Sequence, residues 1–131
     1  MAKILLVEDE ELLCKMYRRK LELGNFEVEI AADGEEGFAK AREFKPDLIL
    51  LDIVMPKLNG IGVLKKIKAD PVINWIPVVM LTNLATGAAI QECLEAGSQG
   101  YIIKSDSTPS KLLQDVKKFL VEVQDRRFAK I

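Results

Sequence analysis

Leu48-Ile49-Leu50-Leu51 is the stretch that most constrains the fold. Its side chains leave no polar face, which excludes a half-exposed strand, and the run is too short for a typical helix. It fits a strand covered on both faces, as in the middle of a parallel sheet. Such a strand releases its first polar residue where the sheet meets water. Here that residue is Asp52, followed by Ile53-Val54-Met55-Pro56. In open parallel sheets with helices on both faces, ligand sites form beyond the C-terminal strand ends. Asp52 is therefore the first candidate for chemistry, against the plainer reading that it only opens a loop.

The chain on either side extends the pattern. Lys3 to Val7 is a short apolar strand ending in Glu8-Asp9-Glu10-Glu11. A helix over about 10 to 23 places Leu13, Met16, Tyr17 and Leu21 on one face, with Gly24 as its stop. Phe26 to Ala31 alternates apolar residues with Glu27 and Glu29, as an edge strand does. Asp33 caps a helix that runs to about Phe44 and closes at Lys45-Pro46. Beyond the central strand and a loop over Met55–Gly60, a helix from about Ile61 to Ala69 ends at Asp70-Pro71. Val72 to Trp75 is a loose connection, and Trp75 is a partly exposed loop residue with no assigned function. Pro77 to Leu81 is a second fully buried strand and ends in Thr82-Asn83. Thr86 caps a helix with Ala89, Ile90, Cys93 and Leu94 on one side, stopped by Gly97. A short strand, Gly100 to Ile103, runs into Lys104-Ser105-Asp106. Thr108-Pro109 opens a last helix with Leu112, Leu113, Val116, Phe119, Leu120 and Val123 at amphipathic spacing, reaching about Arg127. Strand and helix thus alternate five times, which requires a parallel sheet with right-handed crossovers and helices on both faces. The third and fourth strands are the most apolar and belong at its centre.

Composition narrows the function. One domain, residues 1–131, accommodates the whole chain, and 49% hydrophobic with 30% charged residues is ordinary for a globular protein. A net charge of −1 gives no basic field for nucleic acid or an anionic membrane. No apolar run reaches membrane-spanning length. Met1-Ala2-Lys3 leads straight into the first strand without a cleavable leader, which reads as cytoplasmic. Cys14 and Cys93 lie in helix-like segments without metal-ligand spacing and are expected as reduced, partly buried thiols. The absence of histidine leaves carboxylate, hydroxyl and amine chemistry.

Those groups converge. The first strand ends in Glu8-Asp9, the third in Asp52, the fourth in Thr82 and the fifth in Lys104, and a doubly wound sheet brings these ends to one rim. Carboxylates so crowded repel one another unless a cation joins them, and a hard divalent ion with oxygen ligands, Mg²⁺ above all, suits the set. A carboxylate beside a metal, a lysine and a hydroxyl is equipped to attack phosphorus. Any one of these residues alone would suggest only a cap, a turn or a solvated strand end. Their joint placement on four strand ends is what carries the reading.

With Glu8-Asp9, Asp52 followed by Met55-Pro56 and Gly60, Leu81-Thr82, Gly97 through Tyr101, and Lys104, the chain resembles a response-regulator receiver domain of bacterial two-component signalling. The resemblance spans essentially its whole length. It implies a flavodoxin-like α/β fold: a doubly wound five-stranded parallel sheet in strand order 2-1-3-4-5 with five helices on two faces. By the same resemblance Asp52 is the phosphoacceptor. Glu8, Asp9, Asp52 and the backbone carbonyl of Val54 hold Mg²⁺, and Thr82 and Lys104 grip the phosphoryl oxygens. Tyr101 is the aromatic switch that follows Thr82. The implied partners are a sensor histidine kinase or phosphotransfer protein, for which Leu12 and Leu13 are candidate docking residues, and a downstream effector protein. The chain would act as a monomer or weak homodimer.

Three positions depart from the family pattern. Glu8 stands where aspartate is more usual. Ser105 stands where proline often follows the lysine, and a cis bond costs roughly 3–4 kcal/mol more without proline. Asn83 replaces a smaller residue and is expected to narrow access to Asp52. Val54 and Leu84, at positions that often orient an attacking water in similar receivers, are aliphatic here. Slow self-dephosphorylation is therefore expected. Competing readings are a Mg²⁺-dependent phosphohydrolase with an aspartyl-phosphate intermediate, a binding module that no longer takes phosphate, and a receiver cut from a longer regulator. The first is opposed by Val54, where such hydrolases carry an acid/base. The second is opposed by the intact acceptor, acidic pair, threonine and lysine.

Overall fold

Strand and helix alternate as the pattern requires: β1 (Lys3–Val7), α1 (Glu11–Leu23), β2 (Glu27–Ala31), α2 (Gly34–Phe44), β3 (Leu48–Leu51), α3 (Gly60–Ala69), β4 (Val78–Thr82), α4 (Gly87–Glu95), β5 (Gly100–Ile103) and α5 (Pro109–Ala129). This computed structural model describes residues 1–129, with side chains through residue 122. Val123, the last apolar position expected on the final helix, lies outside the described side chains.

The strands form one parallel sheet in the order β2-β1-β3-β4-β5. β3 is central, and all of its residues are fully buried. Successive side chains leave a strand on opposite faces, so the apolar strands feed two cores. Ile49 and Leu51 join Leu5, Val7, Val78 and Met80 under Ala41, Val63, Leu64, Ile67 and Cys93 of α2, α3 and α4. Leu48 and Leu50 join Ile4, Leu6, Val79, Leu81 and Ile102 under Cys14, Tyr17, Leu21, Leu112 and Val116 of α1 and α5. A four-residue strand with no polar face is stable only between two such layers.

Local signals set the helix ends. Asp33 Oδ1 accepts from Glu36 N at 2.8 Å, and Glu36 Oε2 accepts from Ala32 N at 3.1 Å, so both sides of the α2 start are closed. Thr86 and Thr108 cap α4 and α5 through bonds from Ala89 N and Lys111 N. Asn59 caps α3 by accepting from Gly62 N at 3.0 Å, which starts that helix at Gly60, one residue earlier than the apolar pattern suggests.

Two expectations change. Met16 is 47% exposed, because the buried stripe of α1 is Cys14, Tyr17 and Leu21, and its neighbour in sequence turns about 100° away. Leu94 is 47% exposed for the same reason beside buried Cys93. Gly24 ends α1 as expected, with a negative φ, and the left-handed residue that follows it is Asn25 (φ 69°).

β2 is an edge, as its alternation suggests, and the edge is covered. Glu27 N donates to Ala2 O and Ala31 O accepts from Glu8 N, so Val28 and Ile30 direct their carbonyls outward. Arg18 of α1 donates to Val28 O at 3.2 Å, and Lys40 of α2 donates to Ile30 O at 2.5 Å. Unpaired strand edges invite pairing with another chain, and cationic side chains on the edge oppose it. Replacing both Arg18 and Lys40 by alanine is expected to produce concentration-dependent self-association in sedimentation velocity under conditions where the wild type does not associate.

Candidate functional site at the strand ends

Glu8, Asp9, Asp52, Thr82 and Lys104 stand at the C-terminal ends of β1, β3, β4 and β5, all on one rim of the sheet. Glu8 and Asp52 are buried, at 2% and 5% exposure, while Asp9 is exposed. The backbone extends the sheet by one step: Glu8 N donates to Ala31 O at 2.9 Å and Asp52 N to Val7 O at 3.1 Å. Each carboxylate is therefore fixed by the strand that delivers it. Glu8 Oε1 accepts from Glu10 N at 3.1 Å.

Lys104 sits between the two buried acids. Its Nζ lies 2.7 Å from Asp52 Oδ2 and 2.5 Å from Glu8 Oε2. The contact to Asp52 is a hydrogen bond. The contact to Glu8 is an ion pair without hydrogen-bond angles, which leaves Glu8 Oε2 buried and unbonded. Burial pushes the Glu8 carboxyl up to about 7; Lys104 draws it down and the Asp52 charge pushes it up again. Burial also draws the Lys104 ammonium down, but its close contacts with the Asp52 and Glu8 carboxylates outweigh this and raise it.

One oxygen from each of Glu8, Asp9 and Asp52 lies within 4.8 Å of the other two. The donor set is hard oxygen throughout, and Glu8 within it carries a buried oxygen, Oε2, whose close partner is the Lys104 ammonium. Three carboxylates share one ammonium here, so the set suits a small divalent cation, which relieves the repulsion that Lys104 alone leaves among the acids.

The remaining expected residues lie close by but are tied differently. Thr82 is fully buried, and its Oγ1 accepts from Leu84 N at 3.3 Å. The Tyr101 ring packs against the core on the α3 and α4 side, and its hydroxyl donates to Leu84 O. Val54 is 65% exposed, and its N–H points back to Asp52 Oδ1 at 3.4 Å. Asn83 Oδ1 accepts from Ser105 N at 2.8 Å and joins the β4–α4 and β5–α5 loops. The Lys104–Ser105 bond is trans, as are all peptide bonds among the described residues. Leu12 is 70% exposed, whereas Leu13 is half-buried against the α1–α5 core. Both cysteines are buried and free, and burial, with the Glu8 charge second, pushes the Cys14 thiol up to about 11.

The structure adds Lys57 and Asp33, whose Nζ and Oδ2 lie 3.4 Å apart beside the site. The turn-forming run Pro56-Lys57-Leu58-Asn59-Gly60 marks a tight loop in the sequence, but nothing in it names Asp33 as the partner.

The model of the response regulator receiver domain matches residues 4–117. The chain belongs to the response regulator receiver domain family. Its relatives include the polar-differentiation response regulator DivK of Brucella anthropi, 34% identical over 117 residues, covering 89% of this chain and 94% of that one. Among solved structures, a CheY-like receiver domain protein from Methanospirillum hungatei superposes with a TM-score of 0.89 at 31% identity, over 96% of this chain and 98% of that one. The chemotaxis protein CheY4 of Vibrio cholerae gives 0.84 at 32% identity, over 90% and 98%. The receiver fold, with its acidic pocket at the strand ends, is thus the architecture of this two-component signalling family.

The position of Glu8 sets a pH dependence. Its folded pKa of about 7 lies above the ordinary 4.5, so the folded state holds this proton more tightly than the unfolded state. The resulting stabilisation is complete below 4.5 and is lost as pH rises through about 7. Glu8→Gln removes the loss. In EDTA above pH 8 it is expected to melt several degrees higher than the wild type, with the gap closing below pH 5. Thermal melts across that range check this; a variant melting lower than wild type at high pH would contradict it.

Proposed function

We propose that the chain, as a single receiver domain over residues 1–131, is a phosphorylation-activated switch. Asp52 accepts a phosphoryl group from a sensor histidine kinase or phosphotransfer protein. The surface of α4, β5 and α5 then changes toward an effector protein. The observation that carries this reading is the Lys104 ammonium held 2.7 Å from Asp52, a buried carboxylate at the end of the central strand.

In the proposed reaction an Asp52 oxygen attacks phosphorus, and the bond from phosphorus to the donor nitrogen or oxygen breaks with its electron pair leaving on the donor. Lys104 already faces that carboxylate and pairs with charge growing on the phosphoryl oxygens. Glu8, Asp9, Asp52 and the Val54 carbonyl would hold Mg²⁺, which supplies further neutralisation of those oxygens when bound. Thr82 Oγ1 is the hydroxyl available to donate to a phosphoryl oxygen. Its present partner is Leu84 N, and Tyr101 holds Leu84 O, so a move of Thr82 reaches Tyr101 through a single residue. A dianion on Asp52 favours the state in which Thr82 and Lys104 close on it.

Catalytic turnover as a phosphohydrolase lacks support, because the exposed Val54 has no proton to give or take. Among the described residues no helix is long and apolar enough to cross a membrane. We place the switch in the cytoplasm, as a monomer or weak homodimer.

Intact-mass spectrometry after incubation with Mg²⁺ and a small acyl phosphate tests the proposal. One added phosphoryl group on the wild type, absent from Asp52→Asn, is expected. Donor turnover through Asp52 without a stable adduct would favour the hydrolase instead. Because neither Val54 nor Leu84 can hydrogen-bond a water through its side chain, the adduct is expected to survive for minutes or longer. Decay within seconds would overturn that expectation.

A further inference from the structure

The loop between β3 and α3 carries Val54, whose carbonyl the proposed function assigns to the cation site. It is anchored on a side from which no site residue comes. Lys57 on this loop has φ 67°, in the left-handed region that a lysine rarely occupies. A strained non-glycine residue persists where its surroundings hold it, and such residues cluster at functional sites. Lys57 stands at the centre of a tight turn closed by Leu58 N donating to Pro56 O at 2.9 Å, and its ammonium ties that turn to Asp33, 3.4 Å from Asp33 Oδ2, while Asp33 Oδ1 caps α2 through Glu36 N. The cap bond first, and the Lys57 charge after it, keep the Asp33 carboxyl below its ordinary range. The next residues touch backbone to backbone. A Cβ on Gly34 would lie 1.9 Å from Leu58 O, so only glycine lets α2 come this close. At the far end of the loop, a Cβ on Gly60 would lie 2.0 Å from Asp52 O, and Gly60 N donates to Ile53 O at 2.8 Å. The loop is pinned at Gly60 by its own strand and at Lys57-Leu58 by the start of α2.

We infer that Asp33 and Gly34 are positioning residues for the cation site, acting through Lys57 and Leu58 to fix the loop that offers the Val54 carbonyl. This rests on the cation-site reading above. Residues behind a metal's direct ligands commonly change affinity by about ten- to a hundredfold when altered, because they orient the ligands. Gly34→Ala must displace the loop and is expected to weaken Mg²⁺ binding about tenfold. Asp33→Asn keeps the helix cap, and Lys57→Asn tolerates the left-handed backbone; each removes only the ion pair. Each is expected to weaken Mg²⁺ about threefold, in line with the modest strength of an exposed pair. The double variant should weaken it no further, as partners in one interaction do.

The sign for Lys57 is decisive. Charge alone predicts that removing a cation near the site tightens Mg²⁺ binding, whereas the clamp predicts that it loosens. Calorimetric titration of each variant with Mg²⁺, alongside thermal melts in EDTA, gives the answer. Tighter or unchanged binding by Lys57→Asn, or additive losses in the double variant, overturns the clamp. Equal Mg²⁺ affinity with a lowered melting temperature in Gly34→Ala also overturns it, leaving only packing. Asp52→Asn is the control for the underlying site. If it binds Mg²⁺ as the wild type does, the cation-site reading itself fails. If it loses Mg²⁺ while the α2 variants do not, only the clamp fails.

Discussion

Glu8 and Asp52 stay buried together because Lys104 lies between them. Two carboxylates taken out of water at the ends of neighbouring strands β1 and β3 are unfavourable without a counter-charge. Lys104 meets both, at 2.5 and 2.7 Å, but satisfies only Asp52 with a hydrogen bond. Glu8 keeps an unbonded oxygen and a pKa near 7. The rest of the fold serves this arrangement. β3 must be central for Asp52 to emerge between β1 and β4, and β5 must lie beyond β4 for Lys104 to reach back across Thr82. The sheet order and the site are one geometric statement.

Much of this was legible in the sequence, because the pattern at the strand ends reports the sheet directly. Continuous apolar runs mark interior strands, alternation marks the edge, and the first polar residue after each run marks the rim. The convergence of Glu8, Asp9, Asp52 and Lys104 followed from these features. What escaped was the set of relations between segments that approach only after folding. Asn83 was expected to narrow access to Asp52, but no local pattern marks that its side-chain oxygen receives Ser105 N of the β5–α5 loop. Met16 and Leu94 were expected in the core, yet each lies one residue from a buried neighbour and a helix turns about 100° per residue. The approach of Gly34 to Leu58 leaves no local trace beyond a glycine after a helix cap.

The two cores divide the labour between the faces. The α1 and α5 side buries Tyr17 and Cys14 close behind Glu8, and the sulfur donates to Glu8 O at 3.3 Å. The α2, α3 and α4 side holds Tyr101, the β3–α3 loop residues Met55 and Leu58, and Leu84. Tyr17 and Cys14 thus back the acids on one face, and Tyr101 and Leu84 lie on the other, with the sheet as the shared wall.

Leu84 links two bonds through its backbone alone: its N–H reaches Thr82 and its carbonyl receives Tyr101. Its side chain takes part in neither. On the proposed function, the timing of the signal and its transmission pass through the same residue but through different atoms. Evolution can therefore reset the clock at this position by exchanging the side chain, while the relay through the peptide group stays intact. A family of receivers built this way can spread its members over very different signal lifetimes without redesigning how the signal is passed on.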